Sequence, residues 1–284
     1  MYKILEKRRL TDITTLMTVE APDVARKAKP GQFIILRADE TAERVPFTIS
    51  EADPDTGAVS IIFQTVGKST YKLNDMETGD YIANFVGPLG RASELDGYKS
   101  ACVIGGGLGC AIALPQAKYL HKIGAKVDII AGFRNKEIII LEPEMRAVCD
   151  NLTITTDDGS NGNKGFVTDA LRKKLEEGAE YDVVIAIGPP IMMKFVSLMT
   201  KEYGIKTIVS LNPIMVDGTG MCGGCRVTVG GELKFACVDG PDFDGHEVDF
   251  DELMLRNRSY IEIEGEACNL YKAARALENE KKGD

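Results

Sequence analysis

Hydrophobic and polar positions alternate along the first part of the chain, in short segments that glycine, proline and aspartate separate. The segments with this pattern, or with a short apolar run, span residues 13–21, 32–38, 58–66 and 80–87. Alternation with a period of two is typical of half-buried strands, and many short strands with such turns indicate an antiparallel barrel or sandwich. We predict an antiparallel β-barrel over residues 1–95, with one short helix near residues 70–76.

The pattern changes after the sequence GPLG at residues 87–90. Apolar runs of strand length now alternate with segments of helical length. The predicted strands are 100–106, 125–133, 152–156, 181–188 and 206–211, and the predicted helices are 110–124, 136–149, 166–178 and 190–204. Such alternation predicts an α/β domain with a doubly wound parallel sheet over residues 96–211, and the near-continuous apolar strands fit a sheet covered on both faces.

Regular periodicity ends near residue 212. Residues 212–250 carry three of the seven cysteines, and residues 251–284 form a tail that we predict to be partly helical near its end. The length of 284 residues suits two compact domains and a smaller segment.

The net charge of -9 disfavours nucleic acid and anionic membrane surfaces as partners. The chain has no apolar run long enough to span a bilayer, and its start does not resemble a signal peptide, so we expect a cytoplasmic protein. Without a secretory signal, clustered cysteines indicate metal ligation more than disulfides.

The strongest chemical signal lies between residues 217 and 241. Cys222 and Cys225 form a C-x-x-C pair, Cys237 follows, and Asp217 stands where the plant-type iron–sulfur spacing has its first cysteine. We predict a [2Fe-2S] cluster on these four residues. Two alternatives stay open: a zinc ion held by the three cysteines with Asp217 or His246, and unligated thiols. The other cysteines, in apolar or helical surroundings, are interpreted as core residues: Cys102, Cys110, Cys149 and Cys268.

Glycine-rich turns follow two predicted strands of the parallel sheet. One turn carries Gly105, Gly107 and Gly109, and the other begins at Gly188 and Pro189. Turns at the carboxyl ends of such strands commonly bind nucleotides, although the spacing is not the G-x-G-x-x-G fingerprint and tight turns alone would also use glycine. Another strand is followed by two acidic residues that could meet ribose hydroxyls or remain solvated: Asp157 and Asp158.

Two segments of the predicted barrel suit a phosphate and a planar ring. Residues 44–50 offer a cation, a ring and a hydroxyl on one extended stretch, and residues 65–70 offer glycine, lysine and hydroxyls ahead of a helix. Each segment alone is also compatible with ordinary surface charges.

Taken in this order, these pieces resemble the ferredoxin–NADP reductase superfamily, and more closely the electron-transfer subunit of dihydroorotate dehydrogenase. The resemblance covers nearly the whole chain, and the sequence CVDGP at 237–241 is its most specific part. Asp217 departs from the four cysteines of that subunit. It resembles instead the small subunit of NADH-dependent reduced ferredoxin:NADP+ oxidoreductase, a group also named sulfide dehydrogenase beta subunit.

The resemblance implies an FAD domain over 1–95, an NAD(H) domain over 96–211 and a [2Fe-2S] segment over 212–250. It assigns flavin contacts to Arg44, Pro46, Phe47, Thr48, Gly67, Lys68, Ser69 and Thr70, and nicotinamide contacts to Gly105, Gly107, Gly109, Gly188, Pro189, Met192 and Met193. NAD(H) is preferred, but Arg134 could face a 2′-phosphate, so NADP(H) stays open.

The resemblance also implies a larger partner subunit with FAD and [4Fe-4S] clusters, access to ferredoxin through the complex, and flavin-based electron bifurcation. The cofactors do the chemistry in such a system, so no protein acid or base is expected to be catalytic. The alternatives are the dihydroorotate dehydrogenase subunit, which a fourth cysteine would distinguish, and a zinc-stapled nucleotide-binding module without redox activity.

Overall fold

Seven antiparallel strands form the amino-terminal domain. They are β1 (Tyr2–Arg9), β2 (Thr14–Glu20), β3 (Phe33–Arg37), β4 (Val45–Asp53), β5 (Ala58–Gln64), β6 (Tyr81–Ile82) and β7 (Asn84–Leu89), paired in the order β6-β1-β2-β5-β4-β3-β7. Because β6 and β7 belong to one continuous segment, that segment pairs with β1 at one end and with β3 at the other. This double pairing curls the sheet into the predicted barrel.

The barrel interior is filled by the inward side of the alternating strands. Met17 and Val19, two residues apart on β2, are fully buried together with Ile34, Ile61 and Phe85. The short helix predicted near residues 70–76 is present as α2 (Lys68–Asn74), and a shorter helix α1 (Pro22–Ala25) begins with proline at its first position. The computed structural model describes residues 1–283, with side chains described up to Leu277.

A parallel sheet with helices on both faces forms the second domain. Its elements are β8 (Ser100–Gly106), α3 (Gly109–Lys122), β9 (Lys126–Phe133), α4 (Glu142–Arg146), β10 (Asn151–Thr156), α5 (Val167–Glu176), β11 (Val183–Ile187), α6 (Pro190–Glu202) and β12 (Thr207–Ser210). The strand order is β10-β9-β8-β11-β12. The winding reverses between β8 and β11, and the carboxyl ends of those strands flank the crevice where such sheets bind ligands. The predicted α/β class is confirmed.

The single helix predicted over residues 136–149 is wrong. The chain forms a 3-10 turn at Lys136–Ile138, then extends, and starts the short α4 only after Leu141, whose φ is 57°. Pro143 explains the break, because proline is tolerated in the first turn of a helix but not in its interior. Ile140 is buried at this extended stretch, so core packing holds the segment there.

The cysteine-bearing segment adds its own elements and one strand of the second sheet. The elements are β13 (Arg226–Val229), β14 (Glu232–Phe235), α7 (Ala236–Asp239) and β15 (Asp242–Asp244). β15 pairs antiparallel with β12, with Asp242 opposite Ser210. The cysteine-bearing segment also packs on the barrel. It contributes the buried Met215, Cys225 and Cys237 to an apolar cluster that includes Phe33 and Ile35 of the barrel. The segment is therefore packed against both preceding domains.

Two helices end the described chain: α8 (Phe250–Arg256) and α9 (Ile261–Gly283). Asp249 caps α8 by accepting a hydrogen bond from the backbone N–H of Glu252. α9 is 23 residues long and packs on α2 of the barrel. Within residues 1–283, none of the helices combines the length and the apolar character that crossing a bilayer requires.

Candidate functional site

Residues 217–225, the loop predicted to bind the iron–sulfur cluster and called the iron–sulfur loop below, fix the carboxylate of Asp217 by hydrogen bonds. Oδ1 accepts a hydrogen bond of 2.8 Å from the backbone N–H of Thr219, and Oδ2 accepts one of 2.8 Å from the N–H of Cys222. These backbone bonds, led by that from Thr219, lower the pKa of Asp217. The first predicted ligand position is therefore an ionised carboxylate that is tied to the second.

The other two predicted ligands lie side by side beneath the loop. Cys225 Sγ is 3.2 Å from Cys237 Sγ, and both residues are 2% exposed. Burial and then the neighbouring Cys225 thiol raise the pKa of Cys237. Cys222 is exposed at the surface of the same loop. A metal centre would have to displace the protons of the buried pair, since thiolates are the ligating form.

Glycines with left-handed backbone angles seat the loop against the barrel. Gly218 has a φ of +74°, and a Cβ added there would lie 2.8 Å from Leu89 Cδ1 and 2.9 Å from Ile35 Cγ1. Gly220, with a φ of +86°, approaches Val238 in the same way. Side chains would be strained at both positions. The glycines that the sequence places here are thus required by backbone angle and by close packing.

The donor set fits an iron–sulfur cluster better than a single ion. Among the described side chains, no three cysteine, histidine, aspartate or glutamate residues converge as a single-ion site. His246 does not join the cysteines, because its Nε2 lies 3.0 Å from Thr200 Oγ1 on α6. The alternative zinc ligand His246 is therefore engaged with α6 in this structure. Three thiols and one carboxylate on a glycine-rich loop match the ligand number and type of a [2Fe-2S] centre.

The remaining cysteines are placed as predicted, in or beside the core. Cys102, Cys110 and Cys268 are buried, and Cys149 is half-buried. Burial raises the pKa of Cys110 to about 12, so its thiol is protonated at neutral pH.

The structure joins the two predicted flavin segments through Glu43, which the sequence interpretation missed. Glu43 Oε2 accepts a hydrogen bond of 2.9 Å from Ser69 Oγ, and its Oε1 lies 3.8 Å from Lys68 Nζ. Arg44 follows Glu43 directly and is exposed. A carboxylate therefore occupies the hydrogen-bonding groups that were predicted for a phosphate. Its position just before the Arg44 segment is the signal that could have identified it.

The turn before α2 is ordered by Thr70. Its Oγ1 accepts hydrogen bonds of 3.0 Å from the backbone N–H groups of Val66 and Gly67. These bonds reduce the number of free N–H groups at the turn, so Thr70 organises the turn instead of binding an anion.

The residues predicted for the flavin ring lie on β4 and are half-buried. Pro46, Phe47 and Thr48 pair with β3, where Thr48 stands opposite Phe33. The Phe47 ring lies 5.6 Å from that of Phe63, at a tilt of 53°. Because successive side chains of a strand point to opposite faces, the Phe47 ring packs on the barrel core and Thr48 lies on the other face of β4.

The two glycine turns of the parallel sheet meet in space. A Cβ added to Gly106 would lie 2.5 Å from Met192 Sδ and 2.9 Å from Pro189 Cδ, and one added to Gly188 would lie 3.1 Å from Gly106 Cα. A Cβ on Gly109 would lie 2.1 Å from the carbonyl oxygen of Ile187. Only glycine permits these approaches, and they bring the start of α3 against the end of β11.

Gly105 and Gly107 complete this turn. A Cβ on Gly105 would lie 2.6 Å from Cys110 Sγ, whereas Gly107 has open space around it and a φ of +57°. Its backbone N–H donates to the carbonyl of Gly132 on β9. Gly107 thus serves the turn conformation, and Gly105 serves the packing of α3 against β8.

Arg134 and the two acidic residues lie at the same sheet edge. The backbone N–H of Asp157 donates to the carbonyl of Phe133, and that of Asp158 donates to the carbonyl of Arg134. All three side chains are exposed. Hydrogen bonds from Ser160 lower the pKa of Asp158. One cation and two carboxylates therefore stand together beyond β9 and β10.

A buried polar cluster at the junction of the three segments was also missed. Asp242 Oδ2 accepts hydrogen bonds from Ser93 Oγ at 2.6 Å and from Gln116 Nε2 at 3.1 Å. Among the side chains that the structure describes, none bonds to the buried Oδ1 of Asp242 or to the buried Oε1 of Gln116. Burial raises the pKa of Asp242. The only sequence signal is an aspartate directly after the sequence CVDGP.

Comparison with known proteins identifies related domains and chains. The iron–sulfur cluster binding domain of dihydroorotate dehydrogenase B matches residues 212–249, and the oxidoreductase NAD-binding domain matches residues 103–198. A Thermotoga maritima homologue of the dihydroorotate dehydrogenase B electron transfer subunit is 45% identical, over 93% of each chain. The corresponding subunit of Desulforamulus reducens is 34% identical, over 87% of this chain and 96% of its own.

Among solved structures, a chain of the NADH-dependent reduced ferredoxin–NADP oxidoreductase is 43% identical. It covers 94% of this chain and 97% of its own length, with a TM-score of 0.89. These matches confirm the oxidoreductase class and the predicted cofactors FAD, NAD(H) and [2Fe-2S]. The chain has the ferredoxin–NADP reductase fold and belongs to the family of dihydroorotate dehydrogenase B-type electron-transfer subunits.

Proposed function

We propose that this chain is the FAD and [2Fe-2S] subunit of a bifurcating NADH-dependent reduced ferredoxin:NADP+ oxidoreductase. The observation that carries the proposal is Asp217, an ionised carboxylate where a dihydroorotate dehydrogenase subunit is expected to have a cysteine. The likeness to a chain of the bifurcating enzyme supports it. The partner is then a larger subunit with FAD and [4Fe-4S] clusters, and ferredoxin is reached through the complex.

The ligands of the cluster would be Asp217, Cys222, Cys225 and Cys237. The carboxylate is a harder ligand than a thiolate, and hydrogen bonds to ligand atoms further tune a cluster. The two N–H groups that hold Asp217 therefore set how much charge it donates. We expect the carboxylate and its two hydrogen bonds to give the cluster a reduction potential that differs from that of a four-cysteine site.

FAD supplies hydride exchange with NAD(H), and the cluster supplies one-electron transfer. The protein residues bind and orient. Arg44, Lys68 and Ser69 would bind the flavin phosphates, with Glu43 leaving the hydroxyl and ammonium groups that it now occupies. Thr48 would then present its hydroxyl to the flavin, while Phe47, packed on Phe63 in the barrel core, would hold the strand that carries Thr48 in place.

The nicotinamide nucleotide would lie across the paired glycine turns, where Gly106 and Gly188 let the turns pack closely and Gly107 has open space around it. Asp157 and Asp158 favour NAD(H), because carboxylates accept hydrogen bonds from ribose hydroxyls and repel a 2′-phosphate. Arg134 acts in the opposite direction. Because two carboxylates stand beside one cation, we expect this edge of the sheet to select NAD(H) over NADP(H).

Electrons would leave through an apolar rim around the exposed Cys222. The rim consists of Val216, Met221 and Val238, which are 52%, 89% and 44% exposed. Val216 and Val238 contact the loop at Gly224 and Gly220. An exposed apolar patch around a ligand suits a protein partner that excludes water there.

The test is the Asp217→Cys variant, reconstituted anaerobically beside the native chain. The native chain should contain about two iron and two sulfide per chain and give an EPR signal on reduction. The variant should keep iron and sulfide but show a changed midpoint potential. With the large subunit, it should uncouple NAD+ reduction from ferredoxin reduction when NADPH is the donor.

An unchanged potential with unchanged coupling would refute the role assigned to Asp217. Dihydroorotate-dependent reduction of NAD+ by the native complex would instead assign the chain to dihydroorotate dehydrogenase. Zinc without flavin or iron would refute electron transfer altogether.

A further inference from the structure

The carboxy-terminal helix α9 is fixed to the barrel along one of its faces. Lys272 Nζ lies 4.8 Å from the centre of the Tyr71 ring on α2, and Tyr271 Oη donates a hydrogen bond of 3.1 Å to Asp75 Oδ2. Arg275 forms an ion pair with Asp75. Cys268, on the same face, is 7% exposed. These contacts hold the helix and define its inner side.

The opposite face of α9 carries an apolar seam that the described chain does not cover. The seam consists of Ile263, Ala267, Leu270, Ala274 and Leu277. Its three large members are 66%, 73% and 59% exposed. At 100° per residue, Leu270 lies about 160° around the helix from Cys268. Exposed apolar side chains in one contiguous row mark an interaction surface.

The spacing of the seam indicates what kind of surface it fits. Steps of four, three, four and three residues give a period of 3.5, which is the repeat of a two-helix seam. Large residues alternate with alanine, so an opposing helix can approach closely at the alanines and be held between the larger side chains. A helix is therefore the form of occupant that the seam matches.

The charges beside the seam decide between a second copy and a different chain. The flanking positions of the repeat are Glu264, Glu266, Tyr271 and Ala273, which include two acids and no base. Two copies of α9 would find no complementary charge on each other at these positions. A helix with lysine or arginine at its flanking positions would pair with both glutamates, and such pairs set partner choice in helical seams.

The relatives differ in how much of this chain they match. The Desulforamulus reducens subunit is covered almost completely, at 96%, yet it accounts for only 87% of this chain. The part of this chain that this relative leaves unmatched is about as long as the segment after residue 249, where the iron–sulfur family match ends. The bifurcating-enzyme chain extends the match to 94%.

We propose that the apolar seam of α9 docks a helix of the larger partner subunit, with basic residues at the flanks of that helix. This inference rests on the proposed function, since it requires the large subunit to exist as a partner. It places a second contact far along the chain from the rim at Cys222. α9 would then hold the partner against the domain that contains the flavin segments.

The experiment compares Leu270→Glu with Leu255→Glu, a matched change at another exposed helical leucine. Each full chain is purified with its flavin, and its affinity is measured for the large FAD/[4Fe-4S] subunit encoded in the same genome. Leu270→Glu should weaken binding about tenfold or more, and Glu266→Lys should weaken it by a smaller factor. Leu255→Glu should bind as the native chain does.

NADH-dependent reduction of ferricyanide by the isolated chain separates the possible failures. If the native chain lacks this activity and its flavin, the proposed function fails. If the activity is intact and Leu270→Glu binds the large subunit normally, the docking inference fails alone. If the isolated native chain is a dimer in solution and Leu270→Glu is a monomer, the seam belongs to a second copy and the inference is overturned.

Discussion

Replacing Gly109 by alanine tests whether the contact between the two glycine turns limits both stability and coenzyme binding. Gly109 is the first residue of α3, and its added Cβ would lie 2.1 Å from the carbonyl oxygen of Ile187 and 2.9 Å from Gly188 Cα. The obstructing atoms are backbone atoms of Ile187, the buried last residue of β11, and of Gly188 that follows it. They cannot rotate away as a flexible side chain would, so either α3 or β11 must shift.

The magnitude follows from two opposing effects. Overpacking of a well-filled interior costs about 1–3 kcal/mol. Alanine gains up to about 1 kcal/mol over glycine in a helix interior, and less in the first turn. The expected net loss is about 1–2 kcal/mol, which lowers the melting temperature by about 2–8 °C for domains of this size. The same shift moves Gly106 away from Met192, so the KM for NADH should rise.

The matched control is Gly265→Ala in α9, where an added Cβ meets nothing within 4 Å. That variant should be as stable as the native chain or slightly more stable. Thermal unfolding followed by circular dichroism, together with the KM for NADH in the ferricyanide assay, makes the comparison. A Gly109→Ala variant that melts with the native chain and keeps its KM would refute the packing argument.

Three further outcomes are expected. Burial raises the pKa of Asp242, so the native chain loses stability as the pH rises above the ordinary carboxyl range; urea unfolding should show the advantage of Asp242→Asn growing as the pH rises above that range. Lys174→Met removes the ammonium 2.8 Å from Asp128 Oδ2, a carboxylate with 6% side-chain exposure, and should cost about 3 kcal/mol in the same assay. Asp158→Asn should raise kcat/KM for NADPH relative to NADH by about two- to fivefold, and Arg134→Leu should lower that ratio. Three results would contradict the corresponding assignments: an advantage of Asp242→Asn that does not change with pH, an unchanged stability of Lys174→Met, and an unchanged ratio of the kcat/KM values for the two coenzymes.

The fold was predictable because its two main domains use clear and different periodicities. The barrel strands alternate, the sheet strands are apolar throughout, and both patterns follow directly from which faces are buried. The segment 136–149 failed because its apolar residues suit a helix or an extended buried stretch equally well. Pro143 and the burial of Ile140 decide for the extended stretch, and burial depends on the tertiary structure.

The candidate site was predictable where a chemical requirement leaves a pattern in the chain. Thiols and glycines at fixed spacing identified the iron–sulfur loop, and glycine after strands identified the nucleotide turns. Glu43 and Asp242 left only a position beside a motif, because each acts on residues distant in sequence: Ser69 in one case, and Ser93 with Gln116 in the other. Isolated acidic residues look like surface charges until the fold brings their partners to them.

The way in which the iron–sulfur segment is attached explains how one chain can pass electrons between fixed sites. Gly218 seats the ligand loop on Ile35 and Leu89 of the barrel, while β15 joins the sheet that carries the nicotinamide turns. Asp242 then bonds to the linker after the barrel and to α3. The loop is thus held by both domains at once. Electron transfer depends on the distance and orientation between the cofactors. If the segment were attached to one domain only, its distance to the other domain could vary. Attachment to both domains keeps both distances fixed.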